Sequence, residues 1–382
     1  MHHSPERVNP SLLIDGRALL EPSGGGVFEY ARRLTAALRA SGRFTTSVWA
    51  NAARFDAVEG VDLLTRWPNK LLNASMRFAG WPRIERLAGV RPGLFWMPNP
   101  HFAAFAPETP LVLTVHDTSF ETYPEFFSLK QRWWHRAVAP RLLARRAAVI
   151  LAVSETTKRD VTERWNIPPE RIVVTHEGAA PEFFAPPLRE TLADLKKRRG
   201  LPERFILHVG ALEPRKNHLG LLEAYHQLRP QARFASLGLV LAGPPGWNNG
   251  PILKAIRTSP YRDDIRLLGF VSDAERRTLY RAAAVLAFPS FYEGFGLPPL
   301  EAMASGLPVV ASSAGALGEV VGDAGILVDP YRPSEIADAL AAVLDSPSLA
   351  ELHVARGRAR AARFSWDACA KKTEEAFSRI LG

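Results

Sequence analysis

The sequence predicts an α/β protein of two domains, each built on an open, mainly parallel β-sheet. Short apolar runs bounded by turn residues recur along the chain, with helical patterning between them. Buried parallel strands joined by crossover helices leave this pattern. The length of 382 residues fits two domains better than one. A shift in composition near residue 180 supports the same division.

The first half contains six candidate strands and a clear candidate helix. Each strand candidate is a mainly apolar run of four to six residues, a length typical of strands. The helix is expected at 28–38, directly after the first strand. The strands are expected at 12–15, 45–50, 94–98, 111–116, 149–153 and 172–175.

A proline-rich and basic linker then separates the halves. Pro181, Pro186 and Pro187 precede a lysine and arginine cluster at 194–199, and prolines at this density indicate a connection between domains. We therefore expect a first domain over 1–186 and a second over 187–364. The second half repeats the alternation, with strands expected at 205–209, 239–242, 265–268, 285–288, 308–311 and 326–328 and helices at 219–227, 273–281 and 300–305.

Charge and cysteine content narrow the classes of function. The net charge of +9 predicts attraction to an anionic partner: nucleic acid, a phospholipid surface or a phosphorylated substrate. The single cysteine, Cys369, excludes an internal disulfide framework and a multi-cysteine metal site. The first ten residues lack the apolar core of a secretory signal, and no apolar run approaches the ~20 residues of a spanning helix. A cytoplasmic protein is expected.

The positive charge is concentrated in two stretches of the first half that also contain tryptophans. One stretch has no acidic residue between Glu125 and Glu155 but contains Trp133, Trp134, Lys130, Arg132, Arg136, Arg141, Arg145 and Arg146. The other includes Arg66, Trp67, Lys70, Arg77, Phe78, Trp81, Arg83 and Arg86. Two interpretations stay open: solvated helix faces with tryptophans anchored in the core, or peripheral contact with an anionic membrane. No nucleic-acid-binding pattern accompanies the charge.

The most specific segment of the chain is FYEGFGLPPLEAMASGLP, which follows the apolar run at 285–288. Glycines at a strand end let backbone N–H groups approach a diphosphate, and a following helix offers its positive end to the same anion. A carboxylate before such a loop can accept hydrogen bonds from sugar hydroxyls, and a second one on the helix can bind a ribose diol.

The segment resembles the EX7E signature of glycosyltransferase family 4, because seven residues separate Glu293 from Glu301. The resemblance implies that Glu293 contacts the donor sugar and Glu301 the ribose of a nucleotide-sugar donor. It also assigns the connecting residues to donor binding: Gly294, Phe295, Gly296 and Leu297.

A second segment, HVGALEPRKN, begins as the first strand of the second domain ends, and it resembles the diphosphate clamp of the same family. Arg215 and Lys216 are then placed to stabilise the charge that develops on the departing nucleotide. Members often carry an arginine where this chain has Ala211, so Arg215 is assigned as its replacement. Without the resemblance, two adjacent basic residues in a loop would be interpreted as solvated surface.

Further donor and catalytic residues follow from the resemblance. The glycine-rich run of Gly24, Gly25 and Gly26 after the first strand resembles the family's first loop, and it is equally explained by a mobile connection. His116 and Asp117 end the strand at 111–116 and resemble the family's catalytic-region pair, which contacts the transferred sugar or the acceptor. The stretch LGFVS resembles the nucleobase-contacting loop, with contacts from the backbone of Phe270 and Val271.

The resemblance also implies the architecture and the reaction. The architecture is GT-B, in which two Rossmann-like domains face each other across a cleft and a last helix, here 365–382, crosses back to the first, acceptor-binding domain. The reaction is hexosyl transfer with retention and without a metal or other cofactor, because no Asp-X-Asp motif is present. The motif combination most resembles mannosyltransferases that use GDP-mannose to build bacterial polysaccharides and O-antigens, with glycan or polyprenyl-diphosphate-linked acceptors at the inner face of the plasma membrane.

Alternatives remain from inside and outside this class. A UDP-sugar donor is an alternative, because Glu301 would bind its ribose equally well. A non-catalytic two-domain sugar-binding protein would share the cleft, although that class is normally exported. A nicotinamide-dependent oxidoreductase is disfavoured, since Gly294 and Gly296 are followed by Leu297, Pro298 and Pro299 rather than by the third glycine of a dinucleotide-binding loop.

Overall fold

The fold consists of two compact units, each with its own parallel sheet. A computed structural model describes residues 9–21, 25–52, 57–185 and 189–382. The first unit comprises Met1–Thr118, Trp133–His176 and Trp366–Gly382, and the second comprises Ser119–Arg132 and Glu177–Ser365. The predicted class, two Rossmann-like α/β domains, is confirmed by the strand order within each sheet.

The first unit contains a seven-stranded sheet in the order β3-β2-β1-β4-β5-β6-β7. All six predicted strands are present, and β3 is an additional strand at the edge. Every residue of β4 and β5 is buried, as expected for parallel strands covered on both faces. The strands are β1 (Ser11–Asp15), β2 (Thr45–Asn51), β3 (Leu63–Thr65), β4 (Leu94–Met97), β5 (Leu111–Val115), β6 (Val149–Ala152) and β7 (Ile172–Val174).

The second unit contains a six-stranded sheet in the order β10-β9-β8-β11-β12-β13. Each of its strands was predicted to within one or two residues. Four of them, β8, β9, β11 and β12, are buried along their whole length. The strands are β8 (Phe205–Val209), β9 (Gly238–Ala242), β10 (Ile265–Gly269), β11 (Val285–Phe288), β12 (Val309–Ser312) and β13 (Ile326–Val328).

Helices connect the strands in both units, and the five predicted helices correspond to α1, α9, α11, α12 and α16. Among the described residues, none of the helices is both long enough and apolar enough to cross a membrane. The helices are α1 (Gly26–Ser41), α2 (Asn69–Phe78), α3 (Ile84–Ala88), α4 (Ser119–Thr122), α5 (Leu129–Val138), α6 (Pro140–Arg146), α7 (Glu155–Trp165), α8 (Arg189–Arg199), α9 (His218–Leu228), α10 (Gly250–Arg257), α11 (Asp273–Ala282), α12 (Leu297–Ala304), α13 (Leu317–Val321), α14 (Pro333–Asp345), α15 (Pro347–Ala361) and α16 (Trp366–Leu381).

The last helix, α16, belongs to the first unit, as the predicted architecture requires. Its Phe377 is fully buried and packs its ring against Phe44 and Trp96, with centroid separations of 5.7 Å and 6.1 Å. The aromatic contacts explain why a segment so distant in sequence is part of this core.

The boundary between the units lies between His176 and Glu177, earlier than the predicted position after residue 186. Phe183 is buried, and its carbonyl oxygen accepts hydrogen bonds from the Ser305 hydroxyl at 3.2 Å and from Arg281 Nη2 at 3.0 Å. These bonds attach the start of the proline-rich linker to the second unit.

A short aromatic segment, Ser119–Arg132, is also grouped with the second unit, although it follows β5 of the first in sequence. The ring of Phe126 stacks on Phe291 at 5.2 Å, and Trp247 Nε1 donates to the Phe126 carbonyl oxygen at 2.7 Å. The sequence analysis did not predict this attachment.

Each sheet has one position where the order of the strands reverses. It lies between β1 and β4 in the first sheet and between β8 and β11 in the second. Ligands of open α/β sheets bind beyond the carboxyl ends of the strands at such a position. The loop after β8 contains GALEPRKN and the loop after β11 contains FYEGFG, so Arg215, Lys216 and Glu293 fall at the reversal point of the second sheet.

Candidate active site

The loops after β8 and β11 bring three predicted residues together at a buried carboxylate. One oxygen of Glu293 accepts a hydrogen bond from Lys216 Nζ at 2.7 Å, and the other accepts from Arg215 Nη1 at 2.9 Å. The three side chains are between 9% and 13% exposed. Ion pairs this poorly solvated are screened little by water or salt. Glu293 is therefore a fixed, doubly paired carboxylate.

The electrostatics of Glu293 follow from this pairing. Burial alone would raise the pKa of its carboxyl group, but the positive charges of Arg215 and Lys216 outweigh burial and lower the pKa from 4.5 to about 2. The group is ionised at any physiological pH. Its role is then to accept hydrogen bonds rather than to donate a proton.

Arg215 also connects this carboxylate to a second one. Its Nη2 donates to Glu213 at 2.7 Å and its Nη1 to the carbonyl oxygen of Tyr292 at 2.8 Å. Glu213 is almost fully buried, and burial raises the pKa of its carboxyl group. Two cations thus face two carboxylates, and Arg215 is held in position by three acceptors. The Lys216 side chain makes fewer described hydrogen bonds than that of Arg215, so Lys216 is the more adaptable of the two cations.

Two loops that meet at Glu293 each contain a backbone position that only glycine supports: Gly296 in the loop after Glu293 and Gly315 in the loop after β12. Gly296 adopts φ +115°, and a Cβ there would lie 2.6 Å from Leu317 Cδ2. Gly315 adopts φ +62°, and a Cβ there would lie 2.6 Å from the Glu293 carbonyl oxygen. That oxygen accepts from the amide of Ala316 at 2.9 Å. The close packing fixes the main chain that presents Glu293.

The first turn of α12 can offer a ligand only a few backbone donors. Pro298 and Pro299 occupy its second and third positions and have no N–H group. An anion at this helix end would therefore meet the amides of Gly296 and Leu297, beside the positive end of the helix dipole.

Glu301, the second glutamate of the motif, is placed by α12 against α11. Its carboxylate accepts a hydrogen bond from the Tyr280 hydroxyl at 2.9 Å and pairs with Arg276 Nη2 at 3.1 Å. Burial, together with the neighbouring Glu301 charge, raises the pKa of Tyr280. Glu301 is thus buried and held in a cluster of its own with Tyr280 and Arg276.

The predicted nucleobase-contacting residues follow β10, at the edge of the second sheet. Gly269 adopts φ +66°, after which Phe270 is 54% exposed and Val271 is buried. No described contact joins these two residues to the Glu293 cluster, so their role remains a prediction.

His116 and Asp117 lie in the first unit, at the carboxyl end of β5. His116 Nε2 lies 2.9 Å from the Pro98 carbonyl oxygen, and a carbonyl can only accept, so Nε2 carries the proton. The ring also meets Tyr30 edge-on, with centroids 4.8 Å apart. The Thr157 hydroxyl donates to the His116 carbonyl oxygen at 3.0 Å. These contacts fix the orientation of the imidazole, and Asp117 beside it is half-buried.

The predicted glycine loop is described only in part. Gly24 lies outside the described residues. Gly25 is the N-cap of α1 and Gly26 its first residue. Both oxygens of Glu21 lie 3.7 Å from the position of a Cβ on Gly25, which places that carboxylate beside the start of the helix.

Several functional candidates were missed by sequence reasoning. They are Glu213, Tyr280 and Arg276 in the second unit and Asp15, Arg17 and His101 in the first. The rule applied to His116, a polar residue directly after a buried strand, would have found Asp15 at the end of β1. Nothing in the sequence pairs Tyr280 with Glu301, since the contact depends on how α11 packs. The described residues contain no group of three His, Cys, Asp or Glu side chains that could hold a metal ion.

The two Rossmann-like sheets, with a clamped carboxylate beyond a strand end of the second, define a glycosyltransferase of the GT-B class. A family model described as "Glycosyl transferases group 1" matches residues 193–360, and one described as "Glycosyltransferase Family 4" matches residues 24–183. The O-antigen chain mannosyltransferase B of Escherichia coli is 37% identical over 270 residues, which are 70% of this chain and 70% of that protein. The chain therefore belongs to the family 4 glycosyltransferases, and it is an enzyme that transfers a sugar from an activated donor to an acceptor.

Two further similarities agree with this assignment. The MMP alpha-(1->4)-mannosyltransferase of Mycolicibacterium hassiacum is 34% identical over 286 residues, which are 71% of this chain and 66% of that protein. The structure of sucrose-phosphate synthase from Thermosynechococcus elongatus superimposes with a TM-score of 0.76 at 21% identity, covering 98% of this chain and 99% of that one. The similarity to sucrose-phosphate synthase concerns the fold alone.

Proposed function

We propose that this enzyme transfers mannose from GDP-mannose to a glycan or lipid-linked acceptor, with retention of configuration and without a metal ion, in the synthesis of a cell-surface polysaccharide. The observation that carries the proposal is the buried Glu293, held by Lys216 and Arg215 at the reversal point of the second sheet. The choice of mannose rests on the two relatives that are named mannosyltransferases.

Lys216 and Arg215 supply the positive charge beside the leaving diphosphate that a metal ion supplies in other transferases. The bond between the sugar's anomeric carbon and the diphosphate breaks, and the bond to the acceptor oxygen forms on the same face. The acceptor's proton passes to the departing diphosphate. Lys216 and Arg215 offset the charge that develops there, and because the fold already holds them, little reorganisation is needed. A diphosphate bound beside Lys216 and Arg215 would share these two cations with Glu293.

Glu293 then positions the sugar. An ionised carboxylate accepts hydrogen bonds from sugar hydroxyls, and Glu293 cannot rotate away because both of its oxygens are held. In the first unit, His116, whose ring is fixed by Pro98 and Tyr30, and Asp117 beside it would contact the transferred sugar or the acceptor. Glu301 would hold the ribose through the oxygens that Tyr280 and Arg276 orient.

Incubating the purified protein with GDP-mannose, UDP-glucose, ADP-glucose and dTDP-glucose tests the proposal, with nucleotide release and thermal stabilisation as readouts. We expect GDP-mannose to release the most nucleotide and GDP to stabilise the protein most. Glu293→Gln is the matched inactive control, since it keeps the side-chain shape. A preference for UDP-glucose would change the proposed donor but leave the proposed reaction unchanged. Release no greater than that of Glu293→Gln with any donor would overturn the transferase reaction.

The proposal includes peripheral attachment to an anionic membrane, through a surface formed by α2, the end of α5 from Trp133 onward, and α6 of the first unit. Phe78 is 85% exposed, Trp133 70% and Leu71 67%. Arg77 Nε donates to the Ala137 carbonyl oxygen at 2.9 Å, which joins α2 to α5. Every exposed large hydrophobic side chain described in the first unit lies within residues 67–142. The alternative of tryptophans anchored in the core is wrong for Trp67, Trp81 and Trp133, which are exposed; Trp134 is half-buried.

Aromatic side chains at the headgroup level and basic residues beside them favour an anionic bilayer. Each arginine near such a surface adds about 1 kcal/mol, so replacing Arg141, Arg145 and Arg146 with glutamine should lower partitioning onto phosphatidylglycerol vesicles about 100-fold. Phe78→Ser should weaken binding as well, whereas Leu352→Ser, at an exposed leucine of the second unit, should not. Binding that is insensitive to salt and to these changes would leave the residues as ordinary surface.

A further inference from the structure

Three aromatic side chains of the segment Ser119–Arg132 pack against loops of the second unit that surround the buried carboxylate, and the proposed reaction assigns them no role. They are Tyr123, Phe126 and Phe127, and together we call them the aromatic brace. All three are half-buried, although the segment follows β5 of the first unit in sequence. Rings packed beside a catalytic loop restrict the positions that its main chain can adopt.

Two rings of the aromatic brace contact the two residues that come directly before Glu293. The ring of Phe126 stacks on that of Phe291, with centroids 5.2 Å apart and an interplanar angle of 22°. The ring of Tyr123 meets that of Tyr292 with centroids 5.8 Å apart. Tyr123 and Phe126 also stack on each other at 5.5 Å. Aromatic pairs at these separations attract each other beyond the effect of buried apolar area, so the four rings form one packed group.

The third ring attaches the aromatic brace to the loop after β9. Phe127 stacks on Trp247 at 5.6 Å, and Trp247 Nε1 donates to the Phe126 carbonyl oxygen at 2.7 Å. The loop after β9 is itself bonded to the loop after β8, because the amide of Leu212 donates to the Pro244 carbonyl oxygen at 3.0 Å. The aromatic brace therefore rests on main chain that is fixed to the loop carrying both cations of the site.

The main chain of Phe291 and Tyr292 in turn holds Arg215 at its backbone and at its side chain. The amide of Phe291 donates to the Arg215 carbonyl oxygen at 2.9 Å, and Arg215 Nη1 donates to the Tyr292 carbonyl oxygen at 2.8 Å. The same Nη1 donates to Glu293 at 2.9 Å. A shift of this main chain would therefore move the guanidinium relative to the rest of the site.

We infer that Phe126 and Tyr123 are positioning residues of the transfer reaction. Through the two loop residues that they contact, they hold Arg215 where it offsets the charge of the departing diphosphate. The inference rests on the proposed function, in which Arg215 acts on the leaving group. Fixed cations are effective because little reorganisation remains when the charge develops. A misplacement of about 1 Å can lower a rate about 100-fold, so loss of the stacking should affect the chemical step more than donor binding.

Steady-state nucleotide release by the full-length protein, from GDP-mannose or from whichever tested donor releases the most, measures the role of Phe126. Phe126→Leu keeps an apolar side chain but removes the stacking on Phe291, and we expect kcat to fall about tenfold while KM for the donor changes less than about twofold. Phe126→Tyr keeps the ring and should retain the wild-type kcat. Tyr261→Leu is the matched control, since it removes another half-buried ring of the second unit, 6.1 Å from that of Tyr225, and should leave kcat unchanged.

A double-mutant cycle shows whether Phe126 acts through Arg215. If it does, adding Phe126→Leu to Arg215→Met should lower kcat by less than about twofold, because the group to be positioned is already missing. Tyr123→Leu should show the same dependence on Arg215. A kcat of Phe126→Leu equal to that of the wild type would overturn the inference, as would an equal loss in both backgrounds.

Crystal structures of the wild type and of Phe126→Leu give a second readout that needs no turnover. The Arg215 guanidinium should be displaced by about 1 Å in the variant, and an unmoved guanidinium would overturn the inference. This result is distinguishable from a failure of the proposed function, which would appear as absent nucleotide release by the wild type.

Discussion

Replacing Lys216 with methionine removes one of the two cations that hold the buried carboxylate of Glu293. The Nζ–Oε1 distance is 2.7 Å, and the two side chains are 11% and 9% exposed. The cations together lower the pKa of Glu293 from 4.5 to about 2, which corresponds to about 3 kcal/mol of stability at neutral pH. Breaking a buried pair costs about 3–5 kcal/mol. Because Arg215 remains, we expect Lys216→Met to lower the free energy of unfolding by about 3 kcal/mol.

The loss should depend on pH with a definite sign. The folded-state pKa of Glu293 lies below its unfolded value, so the stabilisation is fully present above pH 4.5 and is lost as the pH falls through about 2. The stability difference between the wild type and Lys216→Met should be constant from about pH 7 to about pH 5 and should shrink at lower pH.

Urea unfolding followed by intrinsic fluorescence measures this difference. The matched control is Lys196→Met, because Lys196 Nζ pairs with Glu203 at a similar distance of 3.1 Å, but the Glu203 side chain is 93% exposed. An exposed pair contributes at most about 1 kcal/mol. The reasoning is refuted if Lys216→Met is no more destabilising than Lys196→Met, or if its effect persists unchanged in acid.

Three further predictions concern Glu293, the Tyr280–Glu301 contact and the metal independence of the reaction. Glu293→Gln should keep its affinity for GDP, which lacks the sugar, and lower transfer about 100-fold or more; calorimetry and nucleotide release measure the two, and equal losses of both would count against a contact with the sugar. Tyr280→Phe removes the hydroxyl that donates to Glu301 at 2.9 Å and should lower the free energy of unfolding by about 1–3 kcal/mol, a change visible in urea unfolding; wild-type stability would contradict it. Excess EDTA should leave the transfer rate unchanged, because cationic side chains offset the charge of the leaving group; a loss restored by magnesium or manganese would disprove metal independence.

The fold could be predicted from the sequence because its strands are buried on both faces. Such strands appear as continuous apolar runs, as in LVLTV of β5 and VLAF of β11. β3 was missed because it has only three half-buried residues and leaves no such run. The predicted helix at 300–305 begins earlier, at Leu297, because prolines are tolerated in the first turn of a helix.

The sequence indicated which residues belong to the candidate site, but not which of them contact one another. Arg215, Lys216 and Glu293 were identified from two motifs, but the sequence could not show that all three meet in one buried cluster. Residues 77 positions apart are joined only by the strand order, which places β8 beside β11. For the same reason a cavity of the first unit lined by Asp15, Arg17, Asn99 and His101 was not predicted, because these residues lie at the ends of β1 and β4 or after them, and the two strands are far apart in sequence and meet only by pairing in the sheet.

A crystal structure of the protein with GDP-mannose bound tests the central claim most directly, namely that the second unit holds the donor's diphosphate with side-chain cations and helix-end amides. We expect the diphosphate within hydrogen-bonding distance of Lys216 Nζ and of the amides of Gly296 and Leu297, with a sugar hydroxyl donating to Glu293. A diphosphate bound elsewhere, with Glu293 still paired to both cations and in contact with no part of the donor, would contradict the claim.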